Sequence, residues 1–403
     1  MLDKAAGALA IIGILLAAVS LGFVFNLNSS VDQLRSQQRT VETSIGTELS
    51  QVRSDLAGLR GPLQEAQKIA EEKKAEEELL TAAQREAAAG PLLIYGAMDA
   101  PDIVNIVWPA FKAKYPFVGN IQYIEGFSPL SQRFIEEAAR GVRTADLRIE
   151  GAATAYSEYL AGLSGPFKTQ YDSQYEPGQI IDERLHSAFS VYFVIAYNTN
   201  LVSKDSAPKA WADLADPKWQ GKLSAGNPVL EATCQNVFAD LLKAFGEEKL
   251  KGIARGMLVQ NKALISDCGT GTYTHVLTGD AHVGVILIND VVQQKAGTPV
   301  AVIAPSEGPT TLGAFIYMYK NTQKPNLAKL FAEWFLSPEG QHIVAVTGRQ
   351  PALLSVEGSQ SKLLNDSGFA GFKLIPANTD NFADPEKVRL NFERIFKEIG
   401  VPT

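Results

Sequence analysis

Residues Ala5–Phe25 read AAGALAIIGILLAAVSLGFVF, an unbroken run of 21 positions without a charged side chain. At 1.5 Å per residue a helix of that length spans roughly 31 Å, the thickness of a bilayer's hydrocarbon core. A cleaved signal peptide is the competing reading, but its apolar region runs only about 7–15 residues. Here apolar residues continue beyond the small pair Ala18 and Ser20 through Leu21, Phe23, Val24 and Phe25. The expectation is an uncleaved transmembrane anchor over residues 1–26. Lys4 with Asp3 flanks it on one side, and Arg35 and Arg39 with Asp32 and Glu42 on the other, so charge alone leaves the orientation open. Only four residues precede the run, so the working part of the chain is expected on the far side, in the periplasm or on the outer face of a cell membrane.

A polar, helix-forming stretch follows over residues 27–90. Val31, Leu34, Val41 and Ile45 keep three- and four-residue spacing with Gln38 filling one slot, and Leu49, Val52, Leu56, Leu59 and Leu63 resume it. Two successive four-residue steps around Ile45 and Leu49 resemble a stutter in a coiled coil. Gly61-Pro62 predicts a break or kink, and Gly90-Pro91 an end. A solvated spacer helix and a coiled coil through which copies self-associate both remain open.

Composition narrows the chemistry. The net charge of −7 opposes nucleic-acid binding, which needs a basic patch to neutralise phosphates. The two cysteines form no CxxC, and the four histidines (His186, His275, His282, His342) make no HExxH. GxGxxG, GxxxxGK[ST] and GxSxG are missing. No cofactor and no resident metal are expected, and no nucleophile or acid–base pair that would make an enzyme can be assembled.

After Pro91 short apolar runs alternate with helical patterns. LLIYG (92–96), NIQYIEG (120–126), ADLRIEG, SVYFVIAYNTN (190–200), GKLSAGNP (221–228), KALISDCG (262–269), AHVGVILIND (281–290), PVAVIAPSEG (299–308) and LGAFIYMYK read as strands. Such alternation predicts an α/β domain with largely parallel strands and a ligand at their C-terminal ends.

PKAWADLADPKWQGKLSAGNP (208–228) and AKLFAEWFLSPEGQHIVAVTGRQPA (328–352), with TADL (144–147) and GTPVAVIAPSEG between and before them, resemble blocks of bacterial extracellular solute-binding proteins, nearest the ferric-ion- and organophosphonate-binding subgroup of ABC-importer receptors. The resemblance implies a type 2 periplasmic-binding-protein fold that closes on its ligand by hinge motion. Lobe one would comprise 91–193 and 307–403, and lobe two 194–306. It also implies an ABC permease as membrane partner. A sensor or adaptor ectodomain engaging another membrane protein is the alternative, and a ferric-ion receptor a further one. Ferric-binding relatives use two adjacent tyrosines after a lobe-two strand, where this chain has Val291-Val292; their histidine position falls near Asp99, and an acidic position near Glu150 remains. Valine has no lone pair for hard Fe(III), so a small organic ligand, anionic or zwitterionic, is expected instead.

Three turns, SPLSQRF (128–134), LEATCQN (230–236) and GTGTYTH (269–275), place hydroxyl or glycine residues where helices begin. Exposed amides and the positive helix end suit phosphate or carboxylate there. The candidate donors are Ser128, Thr233, Thr270 and Thr272, with simple N-capping the alternative for each. Arg148 is a candidate partner for an anion, and Asp99, Glu150 and Asp290 for an ammonium or hydroxyls; Arg349 is a weaker candidate. Cys234 and Cys268, at neighbouring helix starts of lobe two, are positioned to form a disulfide in an oxidising compartment, two buried thiols being the alternative.

Overall fold

A computed structural model of the chain describes residues 2–126, 128–142, 144–375 and 384–401. Contacts divide it into two units, 1–77 and 78–403.

The first unit is one helix. α1 runs Leu2–Ala88, so its last turns belong to the second unit. By length and composition α1 contains a stretch able to cross a membrane. The break expected at Gly61-Pro62 does not occur, and Pro62 sits inside the helix. Proline removes one amide and crowds the carbonyl four residues back. That carbonyl belongs to Gly58, which is exposed and can turn to water.

The second unit is built on one mixed sheet. Its first strands and helices are β1 (Leu92–Gly96), α2 (residues 100–114), β2 (Ile121–Glu125), α3 (Ser128–Ala139), β3 (Leu147–Gly151) and α4 (Ala152–Leu160). β4 (Leu185–Asn198) leads to β5 (Leu223–Gly226), α5 (Ala232–Phe245), β6 (Leu264–Ser266), α6 (Thr270–Thr278), β7 (Val283–Leu287), β8 (Val300–Ile303) and β9 (Thr310–Tyr319). α7 (Pro325–Leu336), α8 (Pro338–Val346) and α9 (Pro385–Glu398) follow. The strand order is β2-β1-β3-β9-β4-β7-β5-β6, with β8 also on β4. β1 lies parallel between β2 and β3, and β5 parallel between β6 and β7. The two parallel sets are joined by the long antiparallel strands β4 and β9. At Phe193 β4 pairs with Thr310 of β9 on one edge and Leu287 of β7 on the other. One strand therefore serves both lobes, which is why β4 is buried along nearly its whole length.

Each parallel set carries its own apolar core. The first gathers Leu92, Ile94, Phe111, Ile149, Phe331 and Phe335. The second gathers Trp211, Leu214, Trp219, Phe238 and Val285, so the aromatic residues of the 208–228 block are packing residues. α9 packs on the second core. Phe392 and Phe396 stack on Phe238, and Arg394 pairs with Glu247, which places this helix on lobe two although it follows the return to lobe one. Chain order proposed one lobe, and the apolar stripe of α9 found the other.

The end of α1 is fastened to lobe one. Ala83 is buried, and Leu79, Leu80 and Ala87 pack on the first core. The Glu86 carboxylate accepts from Leu327 N and Asn326 Nδ2, both at 2.7 Å, capping the start of α7. Lys324 Nζ donates in return to Glu86 O at 2.6 Å and Gly90 O at 2.7 Å, where α1 ends with carbonyls unpaired within the helix.

Candidate functional site

The C-terminal ends of β1, β2, β3 and β5–β7 carry the loops where a ligand of such a sheet collects. Gly96 closes β1 where a Cβ would lie 2.8 Å from Ile149 O and 2.7 Å from the Tyr123 hydroxyl, so only glycine lets these ends converge. Asp99 follows as the N-cap of α2 and stays exposed. Its carboxylate pairs with Arg349, whose guanidinium also holds the buried Asp102 and lies 5.3 Å from the centre of the Phe189 ring. Arg349 is itself buried, 4% exposed. On lobe two, Thr270 Oγ1 donates to Asp290 Oδ2 at 3.0 Å. Burial raises the Asp290 carboxyl above its ordinary value; Thr270 opposes this, Asp99 and Asp267 add to it, and Arg349 opposes it.

The helix starts differ from expectation. Asp267 turns its carboxylate onto the start of α6, accepting from Gly269 N at 2.8 Å, Gly271 N at 3.1 Å and Thr272 N at 3.3 Å. Burial would raise the Asp267 carboxyl, but these amides outweigh it and hold the group below its usual range. Glu125 accepts from Ala100 N at 2.8 Å at the start of α2, and Glu150 from Gly151 N at 3.1 Å at the start of α4. Amides of the kind proposed for an anionic ligand already hold carboxylates of the chain itself. The Thr272 side chain is fully buried. Thr233 lies half-buried in the first turn of α5, whose N-cap Glu231 makes no side-chain cap. Ser128 opens α3, and its side chain lies outside the described residues.

Arg148 and Glu150 also require correction. Arg148 is fully buried; its Nη2 donates to Glu158 Oε1 at 2.7 Å and Glu150 Oε2 at 2.9 Å, and its Nε to Glu158 Oε2 at 3.1 Å. Ser131 Oγ adds a bond to Glu158 Oε1 at 2.6 Å, and the guanidinium lies 4.9 Å from the Phe134 ring centre. The β3 side chains alternate across the sheet, and this face points under α4. Both residues are buried in lobe one and paired there. Burial drives the Glu150 carboxyl up to about 7, with Arg148 opposing and Glu158 adding. A folded-state value above the unfolded one means the folded chain binds this proton more tightly. Its contribution is therefore present below about pH 4.3 and is lost as pH rises through about 7. Glu150→Gln is expected to flatten the melting-temperature profile in that window; a profile unchanged from wild type would contradict the assignment.

Cys234 and Cys268 are joined by a disulfide with a Cα–Cα distance of 5.5 Å. It lies on the end of β5, where a Cβ at Gly226 would stand 1.7 Å from the Cys234 sulfur. Cys268 has φ +57°, a left-handed conformation that a side chain adopts at a cost. The bridge joins the start of α5 to the turn that presents Asp267 and Thr270.

The structure thus pairs Asp99 with Arg349, and Thr270 with Asp290. Asp267, Glu125 and Asp102 escaped sequence reasoning. Asp267 had a signal, an acidic residue two places before the N-cap Gly269 of a helix. Val291 is buried and Val292 half-buried against the first core, so the position of the ferric relatives' tyrosines is apolar here.

The family model for bacterial extracellular solute-binding proteins matches residues 154–370. A Haemophilus influenzae protein described as uncharacterized is 23% identical over 248 residues, covering 59% of this chain and 71% of its own length. Among solved structures, the Trichodesmium IdiA/FutA protein in complex with iron and citrate is 20% identical with a TM-score of 0.60, covering 78% of this chain and 100% of its own. The ferric binding protein of Campylobacter jejuni is 21% identical with a TM-score of 0.61, covering 77% and 100%. AfuA of Actinobacillus pleuropneumoniae, with exogenous fructose-6-phosphate bound, is 21% identical with a TM-score of 0.62, covering 78% and 99%. The shared architecture is the two-lobed α/β periplasmic-binding-protein fold.

Proposed function

We propose, from the premise that this chain belongs to the bacterial extracellular solute-binding proteins, that it is a membrane-tethered receptor delivering a small organic solute to an ABC permease. The apolar segment of α1 supports the tether, which would hold the domain on the outer face of the membrane. The solute carries a cationic group and is zwitterionic or cationic, where the sequence pointed to an anionic or zwitterionic one. The observation that carries this is the occupation of the helix-start amides by Glu125, Glu150 and Asp267, while Asp290, in the first turn of the helix Asn289–Gln293, accepts from Thr270 and forms no ion pair among the described residues. Asp290 receives the cationic group and Thr270 positions it, while Asp99 is already paired with Arg349. A carboxylate on the ligand, where present, is met by the start of α5 at Thr233.

A thermal-shift screen of the full chain in detergent tests this, using amino acids, polyamines, sugar phosphates, phosphonates and Fe(III). A one-site ligand at 100 times its Kd stabilises by about 2.7 kcal/mol. The strongest shift is expected from an amine-bearing solute, and one from Fe(III) or a sugar phosphate would overturn the ligand class. With the ligand found, Asp290→Asn is expected to weaken binding about tenfold or more by calorimetry, since hydrogen bonds to charged groups contribute about 1.5–3 kcal/mol.

A further inference from the structure

We propose that the stalk of this chain pairs in parallel, in register, with the stalk of a second copy. Val31, Leu34, Val41, Ile45, Leu49, Val52, Leu56, Leu59 and Leu63 lie along one continuous helix and are each 41 to 64% exposed. With Gln38 they form a single seam, and the four-residue step from Ile45 to Leu49 only shifts its phase. The charges beside the seam identify the occupant. Taking Leu49, Leu56 and Leu63 as a positions and Val52 and Leu59 as d positions, Glu48 and Asp55 fall at g, and Arg53 and Arg60 at e. In a parallel pair each g residue meets the e residue five places on in its partner. Glu48 therefore meets Arg53 of the second copy, and Asp55 meets Arg60, and symmetry repeats both. In an antiparallel pair g faces g and e faces e, setting acid against acid and arginine against arginine. A solvated spacer needs neither the seam nor this matching.

The two native cysteines are joined to each other, so one added cysteine is the sole free thiol. The full chain, in detergent or membranes, is tested as Leu49→Cys, Val52→Cys and Ser54→Cys. Mild oxidation is expected to give a species of twice the chain mass at the seam positions 49 and 52, and little at the outward position 54. Same-position bridges form only in a parallel, in-register pair. Reversing Arg53 and Arg60 to Glu together is expected to lower the cross-linked yield severalfold, and adding Glu48→Arg with Asp55→Arg to restore it. Equal cross-linking at Ser54→Cys, failure of the charge rescue, or a wild-type protein mass by light scattering of one chain or of more than two would overturn the proposal.

Discussion

Replacing Arg148 by alanine is expected to cost the second unit about 3–5 kcal/mol, read as a fall in urea midpoint without change in slope. The effect arises less from bonds lost than from what is left. Glu150 and Glu158, 2% and 0% exposed, would remain side by side with no cation between them. Burial already raises the Glu158 carboxyl, with Arg148 and Ser131 opposing, so removing the guanidinium forces protonation or rearrangement. Changing the trio together, Arg148→Met with Glu150→Gln and Glu158→Leu, is expected to recover most of the loss, because no charge is then stranded. If the single and triple variants were equally unstable, ion pairing would not be what the cluster contributes.

Removing the disulfide is the second large effect. Cys234 and Cys268 are 34 residues apart, and a loop of that size restricts the unfolded chain by about 3–4 kcal/mol in the chain-entropy model. The double change Cys234→Ser with Cys268→Ser should lower stability by that order, measured by denaturant titration. It should also relax Cys268 from its left-handed conformation and loosen the turn bearing Asp267 and Thr270. Ligand affinity is therefore expected to fall along with stability, whereas a bridge that only tethered lobe two would leave affinity unchanged.

Much of the framework could be read from the amino acids. LLIYG became β1 over the same residues, and AHVGVILIND contained β7, because short apolar runs bounded by polar turns leave little alternative to a buried strand. The site was less legible. A helix start displays open amides in sequence, but an anion from the same chain can fill them, as Asp267 does at α6. Arg148 reads as a free cation until α4 brings Glu158 over it, a contact that no local pattern encodes. α9 likewise showed its apolar stripe but not which core would receive it. In each case the missing information was a tertiary partner, while strand and helix identity were local.

The interlocked ends of α1 and α7 have a mechanical meaning. Glu86 and Lys324 bolt the last turns of α1 to lobe one alone, through four hydrogen bonds that cross between the two helix ends. The last turns of α1 are therefore part of lobe one's own packing, with Ala83 buried in its core.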